Sequence, residues 1–165
     1  RLWNLGSIPP SLTADEASLG DNAYSILKTG KDEYGNSFPV HLRAYDDYRP
    51  ALYVYFVVPF VKMFGLNVVS VRLPSIILSI LTVFATYFLV KEIFKGQKII
   101  KPEYLALLSS FLLAISPWHI YISRLGHEVN LGLSFFIFAI LFLLKKRIYL
   151  SSFFFLLSNV IWGLY

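Results

Sequence analysis

Residues 69–90 read VSVRLPSIILSILTVFATYFLV. Arg72 and Pro74 fall in the first turns, and from Ile76 to Val90 no charge interrupts the run. A helix needs about 20 apolar residues to cross the hydrocarbon of a bilayer, and this stretch supplies them. The bulk composition agrees. Of 165 residues, 56% are hydrophobic and 15% charged, against roughly 25% charged in a soluble domain. The expected class is an all-α integral membrane protein, a polytopic helical bundle.

Working outward, three further spans are expected at about 104–122, 129–144 and 148–164. Lys91, Lys95, Lys98 and Lys101 crowd the link before the second span, and Lys145-Lys146-Arg147 closes the third. Two spans separate these basic links, so they share a side, and lysine and arginine excess assigns that side to the cytoplasm. Residues 51–64 are apolar but too short to cross, and Pro59 and Lys62 interrupt them; they read as an interfacial or re-entrant helix. The chain then divides into an extracytoplasmic loop over 1–68, with interfacial helices at about 14–28 and 51–64, and a transmembrane part over 69–165. Residues 117–130 face the same outer side as the loop.

Function classes fall away with the same numbers. There is no cysteine, which excludes disulfides and thiolate metal sites. The net charge of +5 comes from lysines beside apolar runs, a topology signal rather than a nucleic-acid groove. The chain starts at Arg1 and stops at Tyr165 inside an apolar run, and reads as a piece of a longer polytopic protein.

Acids are scarce, and seven of the ten lie in residues 1–50. Thr13-Ala14-Asp15-Glu16 carries a capping-box pattern, with Asp15 and Glu16 in the first turn of a helix. A helix N-terminus favours charged carboxylates, so the pair is read two ways, as a cap or as a reaction centre. Tyr45-Asp46-Asp47-Tyr48-Arg49 reads as loop between Pro39 and Pro50. Arg49 is either a snorkelling cation or a grip for a phosphate at headgroup level. Arg72 is expected to be the former. Arg124 and Glu128 stand four apart, as a helical ion pair would. His119 and His127 are expected to be interfacial side chains.

Short motifs in order suggest a family. They are Arg1-Leu2-Trp3-Asn4 running to Pro10 and Asp15-Glu16-Ala17; Lys28-Thr29-Gly30; Tyr48-Arg49-Pro50; Phe64-Gly65 with Val71-Arg72-Leu73-Pro74-Ser75; and Ser116-Pro117-Trp118 leading to Ser123-Arg124 and Glu128. The set resembles the GT-C membrane glycosyltransferases, the superfamily of dolichyl-phosphate-mannose protein mannosyltransferases and lipid A aminoarabinose transferases. The resemblance implies a fragment of a GT-C fold at the plasma membrane, multi-pass, with an extracytoplasmic active site. It implies inverting transfer of a monosaccharide from a polyprenyl-phosphate donor to a hydroxyl on a protein or glycolipid acceptor. Asp15 would be the catalytic base, with Glu16 beside it and Glu128 as the second acid. Arg49, where many members have lysine, and Arg124 would bind the lipid phosphate. The cofactor is left open between none and a divalent cation, Mg or Mn, with Asp15 and Glu128 as candidate ligands. The competing class is a non-enzymatic polytopic protein, a transporter or an assembly subunit, whose charges serve topology alone.

Overall fold

Thr13 starts the first helix. In the computed structural model, which describes residues 2–44, 47–97 and 101–162, the Thr13 hydroxyl accepts from the Glu16 N–H. The Glu16 carboxylate in turn accepts from the Thr13 N–H at 3.0 Å, which completes the capping box. Helix α1 spans Ala14–Thr29 and ends at Gly30, whose φ of 71° suits a residue without a Cβ. Arg1, Tyr45, Asp46, residues 98–100 of the basic link and residues 163–165 of the expected last span lie outside the described residues.

The stretch before α2 departs from an all-α reading. His41–Ala44 (β1) and Asp47–Pro50 (β2) pair antiparallel, with Leu42 opposite Arg49. Leu42 is buried against the α1–α2 core, and that contact secures a hairpin too short to announce itself by alternation. The loop expected around Arg49 is therefore partly strand.

Helix α2 covers Leu52–Phe64, about 20 Å at ~1.5 Å per residue. Its buried face, Tyr53, Val54, Val57 and Val61, packs on Leu19, Ala23 and Ile26 of α1. Asn67 caps α3 by accepting from the Ser70 N–H, and α3 runs Val68–Ile93 for 26 residues. Among the described residues it is the one helix that is long and apolar enough by itself to cross a membrane.

The single span expected over 104–122 is two helices, α4 (Pro102–Ile115) and α5 (Pro117–Arg124), bent by 57° at Ser116. Pro117 has no N–H to continue α4 but suits the first position of a new helix, and the Ser116 side chain caps it by accepting from the His119 N–H. The last two helices, α6 (Glu128–Leu144) and α7 (Ile148–Trp162), are shorter apolar helices of 17 and 15 residues.

Helix α3 packs against α4 and α6, and α6 against α7. Small polar side chains bridge these contacts. Thr82 donates to Ser134 at 2.8 Å, Asn130 to the Ser75 carbonyl at 2.9 Å, and Ser158 to the Gly132 carbonyl at 3.1 Å. Such bonds and close backbones hold helices together where lipid removes the hydrophobic drive. Outward-facing Phe84, Phe111, Phe153 and Leu156 are exposed, a surface suited to lipid.

Candidate active site

Four separate stretches meet at the N-terminus of α1: the loop before it, the hairpin, the start of α3 and the α5–α6 turn. The loop is held first. Residues 3–11 form turns and bends, so their carbonyls find no partners within a helix or sheet. Arg72, at 0% exposure, donates to the carbonyls of Leu5, Pro9 and Ser11 at 2.8–3.1 Å. Arg124 donates to those of Trp3, Asn4 and Ile8. Two arginines from α3 and α5 thus satisfy six carbonyls of one loop.

Glu16 joins this frame from the other side. Arg72 meets its carboxylate through Nε at 2.7 Å and Nη2 at 3.1 Å, and Gly126 and Thr13 each donate a backbone N–H at 3.0 Å. Burial pushes the Glu16 carboxyl up. The Arg72 hydrogen bond and the two N–H groups outweigh it, and the carboxyl is held below its ordinary value of 4.5. With both oxygens occupied and 1% exposure, Glu16 is a fixed anion rather than a group that meets substrate. Gly126 has to be glycine for this bond: a Cβ there would stand 3.0 Å from the Val71 carbonyl and 2.9 Å from its side chain.

Asp15 points the opposite way. Its side chain is 39% exposed, and Oδ1 accepts from Arg49 Nη2 at 2.5 Å. Oδ2 lies 3.8 Å from His127 Nε2, and His127 Nδ1 lies 3.4 Å from Glu128 Oε2. Glu128 itself is fully buried. The site is therefore a row: Arg49, Asp15, His127, Glu128, backed by Glu16 and Arg72.

Several sequence expectations meet the structure here. Arg72 is not a snorkelling cation but the buried centre of the frame. Arg124 and Glu128 do not share a helix, because α5 ends at Arg124 and α6 starts at Glu128; no helical pair forms. Arg124, expected to bind the lipid phosphate, donates in this structure to the loop carbonyls of Trp3, Asn4 and Ile8. His127, expected at the interface, stands between the two acids. His119 is buried at 6% exposure, with Nε2 3.5 Å from the Ser79 hydroxyl.

A metal ion finds a poor donor set. Among the described residues no group of three His, Cys, Asp or Glu side chains is arranged to hold one. The His127 imidazole lies between the Asp15 and Glu128 carboxylates.

Comparison with known families matches residues 48–164 to the family described as dolichyl-phosphate-mannose-protein mannosyltransferase. No curated protein and no solved structure matches. The matched region includes Arg49, Arg72, Arg124, His127 and Glu128 but begins after Asp15 and Glu16. Geometry, through Arg49 and Arg72, ties those two acids to the rest.

Proposed function

The chain belongs to the dolichyl-phosphate-mannose-protein mannosyltransferase family, a membership that carries glycosyltransferase activity in general and a membrane setting. From that premise we propose that it moves a monosaccharide from a polyprenyl-phosphate carrier to a hydroxyl of a protein or glycolipid acceptor. We place the reaction at the extracytoplasmic face of the plasma membrane, within a multi-pass protein. The non-enzymatic alternative does not fit this membership.

The observation that carries the reading is the half-exposed Asp15 carboxylate set against the Arg49 guanidinium. Asp15 takes the proton as the acceptor oxygen attacks the anomeric carbon. The bond from that carbon to the carrier phosphate breaks, its electron pair leaves with the phosphate, and a single in-line displacement inverts the sugar. Negative charge grows on the phosphate, and Arg49, whose planar fork suits phosphate oxygens, offsets it. Glu16 and Arg72 keep the first turn of α1 in place so that Asp15 does not drift. Glu128, the second acid, closes the row behind His127.

The test uses the full-length protein in liposomes with dolichyl-phosphate mannose labelled in the sugar. Asp15→Asn is expected to slow sugar release from the carrier by about 10²–10⁴-fold with folding unchanged by circular dichroism. Normal turnover by that variant would sink the assignment.

A further inference from the structure

We propose that His127 is the positioning residue that holds Asp15 for proton transfer. The proposal rests on the reading of Asp15 as the base. The Asp15 oxygens are divided: Oδ1 faces Arg49 and Oδ2 faces His127 Nε2. Arg49 is the group that turns to the donor phosphate, and when it does, Oδ1 loses its partner. His127 then remains as the one side chain of this row still directed at the carboxylate.

The ring suits that task because its far side is fixed. His127 is the N-cap of α6, and the Val129 N–H donates to its Nδ1 at 3.4 Å. A neutral ring with Nδ1 accepting carries its proton on Nε2, toward Asp15. A charged ring gives up the Val129 cap and is held instead by Glu128 Oε2, 3.4 Å from Nδ1, while Nε2 keeps its proton on the Asp15 side. In both of these forms the proton is on Nε2, the ring nitrogen that lies 3.8 Å from Oδ2. The 3.8 Å separation is longer than the 2.7–3.2 Å of a formed N–H···O bond, and a small turn of the 39%-exposed Asp15 side chain closes it as the site fills. Displacing a reacting group by about 1 Å costs on the order of 10²-fold in rate, which sets the size of the expected effect.

Two substitutions separate positioning from capping. Glutamine places an N–H donor near the Nε2 position, whereas asparagine keeps the acceptor that caps α6. With the full-length protein in liposomes and labelled dolichyl-phosphate mannose, His127→Ala is expected to lower kcat by roughly 10–100-fold with an unchanged KM for the donor. His127→Gln should recover most of that loss. His127→Asn should melt like the parent yet turn over like the alanine variant. Recovery by asparagine and none by glutamine would leave only a cap and overturn the proposal.

A second readout does not depend on turnover. In ¹⁵N-histidine-labelled full-length protein, the Nε2 resonance that is lost in His127→Gln should move in Asp15→Asn and stay put in Asp21→Asn. An unmoved resonance in Asp15→Asn overturns the positioning. Full activity of Asp15→Asn, by contrast, removes the base and leaves the resonance result standing.

Discussion

Arg72 grips both oxygens of Glu16, through Nε at 2.7 Å and Nη2 at 3.1 Å, with the two side chains 0% and 1% exposed. Fifty-six residues separate them in sequence, so the pair ties α1 to the start of α3. Taking two charges out of water costs several kcal/mol per ion. Here every oxygen of the acid has a donor, and the remaining guanidinium N–H groups meet loop carbonyls. The arrangement is costly to break from one side only.

Arg72→Met is therefore expected to destabilise the full-length protein by about 3–5 kcal/mol, the range for stranding one member of a buried pair. Adding Glu16→Met should return only the part of that loss due to the stranded carboxylate, because the Leu5, Pro9 and Ser11 carbonyls still lack the Arg72 donors. Thermal unfolding in detergent of the parent, both single variants and the double variant measures it. A single variant that melts with the parent would remove Arg72 from the frame.

Acid should loosen the same junction. The Glu16 carboxyl is held below its ordinary 4.5 in the folded protein, so folding favours its charged form. Its contribution is complete above the unfolded value and is lost as pH falls from about 4.5 through the lowered folded value. Melting temperature should accordingly drop below that pH. Glu16→Gln, which has nothing to titrate there, should flatten that part of the profile while lowering the neutral-pH plateau. An identical acid slope in both proteins would contradict the assignment.

Arg49 serves Asp15 at rest and phosphate during transfer under the proposed mechanism, so charge alone does not replace it. Arg49→Lys keeps the cation but loses the two-pronged geometry and should lower kcat/KM for the donor by about tenfold. Arg49→Ala should lower it by roughly 10²–10³-fold, the cost of losing one donor to a developing anion. Kinetics with labelled dolichyl-phosphate mannose distinguish the two. Equal turnover by parent and alanine variant would exclude a phosphate contact.

Legibility in the sequence varied with how local the cause was. The capping box at Thr13–Glu16 was readable because its bonds span three residues, and the long apolar helix was readable because composition alone specifies it. Ser116-Pro117 carried a break signal of the same local kind, but the apolar letters on both sides masked it. Arg72 was misread for a different reason. A lone arginine beside Val71 and Leu73 looks like an anchor at a membrane edge, and only the tertiary fold brings Glu16 and the carbonyls of residues 5–11 around it. The signal available was a loop with Gly6, Pro9 and Pro10 and no regular element, most of whose carbonyls need donors from elsewhere. His127 was missed similarly, since the partner that gives it meaning is 112 positions away (127 − 15).

The two-arginine clasp on residues 3–11 has a mechanical consequence. One clasp is rooted in α3 and the other in α5, beyond the 57° bend. The loop is thus a short tether strung between two helices that are not continuous with each other, and it runs straight into the turn that carries Asp15. Any change in the spacing of α3 and α5 stretches or slackens that tether. A shift of α5 relative to α3 would therefore reach the first turn of α1 through two guanidinium groups and the short backbone between them.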